Sequence, residues 1–170
     1  MQWSVILLRL AHIVLGALWL GMMVFSVAFL TPAARELGSR AQPMMAAIQR
    51  RRLTLAMSLM ALGTIGSGIA LMQTLYGDMS RLHGSPTGMA FMFGGAAAIA
   101  AFLIGVIFMR PAMARITQRA EQLHAAEGEQ DPAAGSAEIL RLHGRFTIAS
   151  RVATALLVFA AGAMAVARYL

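Results

Sequence analysis

The chain has 170 residues, 59% of them hydrophobic and 12% charged, with a mean hydropathy of +0.70; an ordinary soluble domain carries about 25% charged residues, so that class is excluded. The net charge of +7 comes from arginines at the ends of apolar runs rather than along one folded face, which argues against nucleic-acid binding. There is no cysteine, which excludes disulfides, iron–sulfur clusters, thiolate metal sites and lipoprotein anchoring.

Four apolar segments fill most of the sequence: Val5–Leu30, Leu53–Tyr76, Pro86–Met109 and Phe146–Leu170. Each reaches the roughly 20 residues that, at 1.5 Å rise, cross about 30 Å of hydrocarbon. Too little chain is left for a separate soluble domain. Residues 1–170 therefore read as a single all-α membrane domain, a four-helix antiparallel bundle.

The first segment is longer than the 7–15-residue core of a signal peptide, and Thr31-Pro32-Ala33-Ala34 follows it without a clear cleavage site, so it is expected to be a retained span. Pro32 is expected to end it and Pro43 to interrupt the following loop. Arg9, His12, Gly16, Trp19 and Met23 share one helix face. His12 falls ~8 Å from the midplane on the outer side, and an ionisable residue at that depth marks a functional site by default. The competing reading is a neutral imidazole hydrogen-bonded to a backbone carbonyl or a hydroxyl of a neighbouring helix, for which Ser67 and Thr74 are available.

The later segments carry small and polar residues at helical spacing: Ala56, Met60, Gly63, Ser67, Ala70 and Thr74 in the second, Gly88, Met92, Gly95 and Ile99 in the third, Ser150 and Thr154 in the fourth. These are expected packing faces, because small residues let helix backbones approach in lipid. The run Gly63-Thr64-Ile65-Gly66-Ser67-Gly68 resembles a dinucleotide fingerprint, but it lies inside a span with no strand before it and is rejected. The tight connection Gly77–Ser85 makes spans two and three antiparallel neighbours. Beyond span three, Met113, Ile116, Ala120 and Leu123 give Pro111–Glu127 an amphipathic helical pattern. Gly128–Pro132 breaks it, and Ser136 is placed to cap a helix leading into span four. A helical hairpin outside the membrane is the expectation. No convincing internal repeat is visible.

Arginine placement predicts orientation by the positive-inside rule. Arg35, Arg40, Arg50, Arg51 and Arg52 lie in the first loop, and Arg110, Arg115, Arg119, Arg141 and Arg145 in the third connection. The other side has only Arg9, Arg81 and Arg168. Both termini are thus expected outside, and the hairpin in the cytoplasm, of a bacterial inner membrane.

No aspartate or glutamate lies within a span, which argues against a carboxylate proton relay and most ion-coupled transport. Methionine is abundant, at 14 residues, and Met72, Met92 and Met164 lie at about the level of His12. An imidazole with thioethers suits Cu(I) or axial ligation of haem iron, with Arg9 one turn outward to meet a haem propionate; core filling is the competing reading of the methionines. His83 and Met79 in the outer connection form a second candidate metal-capture pair. His124 and His143 match no zinc spacing. With no phosphate loop, nucleophile triad or carboxylate pair, no catalytic residue is assigned.

Within Leu10–Gly21, His12, Trp19 and Gly21 give His-x6-Trp-x-Gly. This resembles the first helix of the core shared by CopD-type copper-resistance membrane proteins and HemJ-type protoporphyrinogen oxidases. Ser67-Gly68-Ile69-Ala70-Leu71 and the terminal Ala165–Leu170 are similar to the same set of small bacterial membrane proteins. The resemblance implies a metal- or haem-handling bundle, with His12 corresponding to the first-helix histidine that binds haem in the HemJ type. That type also uses a lysine in a later helix. This chain has no lysine, which argues against protoporphyrinogen oxidation.

The leading expectation is thus haem b or copper in the outer half of the bundle, held by His12 with Arg9, Trp19 and the three methionines around it. One alternative is a non-catalytic accessory subunit or assembly factor without a cofactor, docking on a partner or on anionic lipid through Arg50-Arg51-Arg52. Another is a copper or solute transporter acting as an oligomer. The expected partners are the lipid bilayer, further copies of the chain or a larger membrane complex.

Overall fold

The structure, a computed structural model, describes residues 2–77, 83–125 and 132–170; for residues 2, 39, 42, 117, 119–125 and 132–139 it describes the backbone alone. The described residues form helices joined by short turns. These are α1 (Gln2–Phe25), α2 (Thr31–Leu37), α3 (Gln42–Arg50), α4 (Leu53–Tyr76), α5 (Pro86–Ile104), α6 (Arg110–Ala125) and α7 (Pro132–Val166). Four helical runs are long and apolar enough to cross a membrane: Trp3–Leu37, Leu53–Tyr76, Pro86–Ile116 and Leu140–Tyr169.

The expected end of span one at Pro32 does not hold. The chain stays helical through a π segment, Ser26–Leu30, and continues as α2 to Leu37. Proline lacks an N–H and its ring crowds the carbonyl four residues back, so it breaks a regular α-ladder. Here the ladder widens just before it, with the Thr31 N–H reaching five residues back to the Ser26 carbonyl. The Thr31 hydroxyl donates to the same carbonyl at 2.8 Å. The widened turn accommodates the proline without ending the helix.

Span three repeats the device. A π segment, Gly105–Met109, follows α5, the Arg110 N–H reaches back to the Gly105 carbonyl, and Pro111 comes next. The sequences around the two kinks then align, Phe29-Leu30-Thr31-Pro32-Ala33 with Phe108-Met109-Arg110-Pro111-Ala112. Each half of the chain is an apolar span, a π turn, a proline, a polar helix and a returning span. This repeat of architecture was hidden in the sequence because the spans themselves share no common pattern.

Packing follows the halves. The most extensive helix contacts are α1 on α4 and α5 on α7, with lighter contacts of α4 on α5 and α1 on α7. Spans two and three touch, yet each has its main partner elsewhere. In the first pair, Gly63 admits Leu15 so closely that a Cβ there would fall 2.6 Å from Leu15 Cδ1. In the second, Gly94 lies under Met164 and beside the Ala160 carbonyl. The two pairs meet at a core in which Trp19 and Met23 of α1 and Ala61 of α4 lie with Ala97, Ala98 and Ala101 of α5 and Ala153, Leu157 and Ala160 of α7. Trp19 is 5% exposed there. Two large side chains from one pair thus fill the space that alanines leave in the other.

The expected packing face is right in part. Gly88, Ser67 and Ser150 are buried, but Ile99 and Thr74 are exposed and Gly95 faces open space. The face α5 buries runs through Gly94, Ala97, Ala98 and Ala101 instead. The run Gly94–Ala98 is small all round, so its sequence marks no side.

Outside the spans, Pro43 starts α3 rather than interrupting a loop, and Arg52 resets the chain into α4 with a left-handed backbone at φ 56°. The amphipathic helix after span three is present as α6, with Ile116 buried and Met113 partly so. Ser136 lies inside α7, which already begins at Pro132, a residue suited to a first helical turn, so it is not a cap. Gly128–Asp131 lies outside the described residues. Arg35 donates to the buried Thr147 hydroxyl at 2.6 Å, tying the polar end of the first half to the start of span four.

Two adjacent glycines separate packing from propensity. Gly94→Val should destabilise the protein by about 1–3 kcal/mol, because its side chain meets Met164 and a backbone carbonyl. Gly95→Ala has no neighbour to displace and should leave stability unchanged or raise it by up to about 1 kcal/mol. Thermal unfolding of both variants in one detergent checks the contrast.

Candidate functional site

His12 sits in the seam between α1 and α4, partly buried. Its Nδ1 lies 2.8 Å from the Thr64 carbonyl oxygen and 3.4 Å from the Ser67 hydroxyl. A carbonyl can only accept, so Nδ1 carries the hydrogen. In the neutral ring this leaves the lone pair on Nε2, for which no hydrogen-bond partner is present among the described residues.

The Gly63–Gly68 run builds this seat. A Cβ on Gly68 would fall 2.9 Å from His12 Cε1, so only glycine lets the imidazole lie against the α4 backbone. The hydroxyls of this stretch are occupied by their own helix: Thr64 donates to the Met60 carbonyl at 2.7 Å, and Ser67 to the Gly63 carbonyl at 2.6 Å with a further contact to Thr64 O at 3.1 Å. Such back-bonding satisfies hydroxyls where water is absent. Among the described residues no buried side-chain nitrogen or oxygen lacks a partner.

The carbonyl bond of the competing reading is present, though the acceptor is Thr64 O and Thr74 takes no part. Thr74 is exposed and donates to the Ala70 carbonyl at 2.7 Å. The carbonyl partner was not readable from the sequence, because a backbone acceptor has no residue signature. The signal available was Gly68, a gap in α4 at the right height.

The other expected site residues are dispersed. Arg9 is exposed on α1, one turn before His12. Trp19 belongs to the central core, and Met164 packs on Gly94 in the α5–α7 seam. Met72 on α4 and Met92 on α5 are partly buried. His83 is exposed, ahead of α5; Met79 lies outside the described residues, so their pairing has no structural counterpart here. No group of three or more histidine, cysteine, aspartate or glutamate side chains gathers among the described residues. A metal at His12 would then rest on one imidazole, helped by thioethers or by ligands the chain does not supply.

Gly68→Val should push the ring off Thr64 O, whereas Gly66→Val, at an exposed glycine with nothing within 4 Å of its Cβ, should not. With only four histidines, ¹⁵N-histidine NMR resolves the point: the slowly exchanging Nδ1–H signal of His12 persists in Gly66→Val and disappears in Gly68→Val.

No protein-family model matches this chain, and neither a curated protein nor a solved structure matches it.

Proposed function

We propose that this is a bacterial inner-membrane protein that holds haem b or copper through His12 Nε2 and serves electron transfer or the handling of the metal or haem. The observation that carries the reading is the seat of His12: Nδ1–H anchored on the Thr64 carbonyl, the ring held against Gly68, and Nε2 left with its lone pair. Ligand histidines characteristically donate their second nitrogen's hydrogen to a carbonyl or carboxylate, which fixes the ring and raises the basicity of the ligating nitrogen.

One imidazole suffices as the protein ligand of a haem iron, whereas Cu(I) would need thioethers beside it, and Met164 packs in the other seam. When bound, the group supplies one-electron redox chemistry. The protein's share is to orient His12, keep water away and, through Arg9, offer positive charge towards the outer boundary. The His-x6-Trp-x-Gly likeness to the CopD- and HemJ-type proteins points the same way. Within this reading the four spans form an antiparallel bundle with both termini outside and the α6–α7 hairpin in the cytoplasm, as the arginine distribution favours.

The test is the visible spectrum and metal content of protein purified from haem- and copper-replete cells. A Soret band or stoichiometric copper is expected, lost in His12→Ala, reduced in Gly68→Val and retained in Gly66→Val. A colourless, metal-free preparation overturns the proposal and leaves the accessory-subunit reading in its place.

A further inference from the structure

At the arginine-rich end of the spans, away from His12, a groove of about 600 Å³ opens between the third and fourth spans. Its walls are apolar, with Ile104, Ile107, Phe108 and Ile148 among them, and Arg115 and Arg145 line it too. Ile107, Phe108 and Ile148 are strongly exposed. The π segment contributes Ile107 and Phe108, and α6 and α7 each bring one of the arginines.

Neither guanidinium has a hydrogen-bond or ion-pair partner among the described residues, whose one acidic side chain, Glu36, lies on α2. From Arg115 back to Ile104 the helical rise is about 16 Å, so the apolar wall runs well into the hydrocarbon while the charges stay at its boundary. Planar guanidiniums match phosphate oxygens in bidentate geometry.

We propose that this groove is a binding site for one anionic phospholipid, its phosphate held between Arg115 and Arg145 and an acyl chain lying along Ile104, Ile107, Phe108 and Ile148. A soluble phosphate would use the arginines but leave the apolar wall uncovered, and a neutral lipid would cover the wall but bring no net negative charge to the two arginines. Only an anionic amphiphile matches both. The site does not depend on a cofactor at His12.

Native mass spectrometry of the full chain in mild detergent, titrated with phosphatidylglycerol, phosphatidylcholine or inorganic phosphate, tests this. Phosphatidylglycerol should bind at one per chain, at least tenfold more tightly than phosphatidylcholine, and inorganic phosphate should not displace it. Arg115→Gln with Arg145→Gln should lose about tenfold or more, consistent with the contribution of two basic residues at an anionic surface. Ala149→Trp, which fills the groove without touching charge, should lose binding as well. Replacing Arg50, Arg51 and Arg52 together by Gln should leave it intact. Circular dichroism and a single symmetric gel-filtration peak qualify each variant as folded. Equal affinity for the two lipids, displacement by phosphate, undiminished binding in folded Arg115/Arg145 or Ala149 variants, loss in the Arg50–Arg52 variant, or a polypeptide occupying the groove would each overturn the assignment.

Discussion

Inside hydrocarbon a polar atom has no water to turn to, and that constraint organises this protein more than any single contact. Each polar group on a span must find a partner on the protein, and the partner nearest to hand is the helix backbone. Thr64, Ser67, Ser150 and Thr154 all donate to carbonyls three or four residues earlier on their own helices. Pro32 and Pro111, which remove a donor, are met by π turns that redirect the ladder around them. His12 obeys the same rule across helices, spending its Nδ1–H on a carbonyl of α4. What distinguishes it is that its acceptor lies on a neighbouring helix rather than its own.

The same constraint explains the packing. Lipid tails are as apolar as leucine, so helices gain little from burying large apolar side chains against one another, and close approach has to supply the attraction. Small residues therefore mark both seams: Gly16, Gly63 and Gly68 between α1 and α4, Gly94 and a series of alanines between α5 and α7. Trp19 and Met23 then fasten one pair of helices to the other by entering the alanine-lined space between them. In this light Trp19 of the His-x6-Trp-x-Gly pattern holds the halves together while His12, two turns earlier, faces its own partner helix.

The two halves share a plan but differ in what they carry. The first holds its imidazole in the seam with α4. At the corresponding kink of the second, the chain opens a groove lined by Arg115 and Arg145. The π turn that passes Pro111 also supplies part of the groove wall.

Length and apolarity alone determined the four spans, because the thickness of a bilayer leaves few alternatives for runs this long. The amphipathic helix beyond span three was also legible, from Met113 and Ile116 at helical spacing. The sequence was silent where neighbours are distant in the chain or where the partner is backbone. It did not reveal that Thr64 O receives His12, that Arg35 reaches Thr147, or that Arg115 and Arg145 share a groove. It misplaced the buried face of α5 because glycine and alanine surround that helix on every side. Only tertiary structure decided these points, since which small face is covered, and which carbonyl lies opposite a given side chain, depend on how closely two backbones approach, a distance set jointly by residues on both helices.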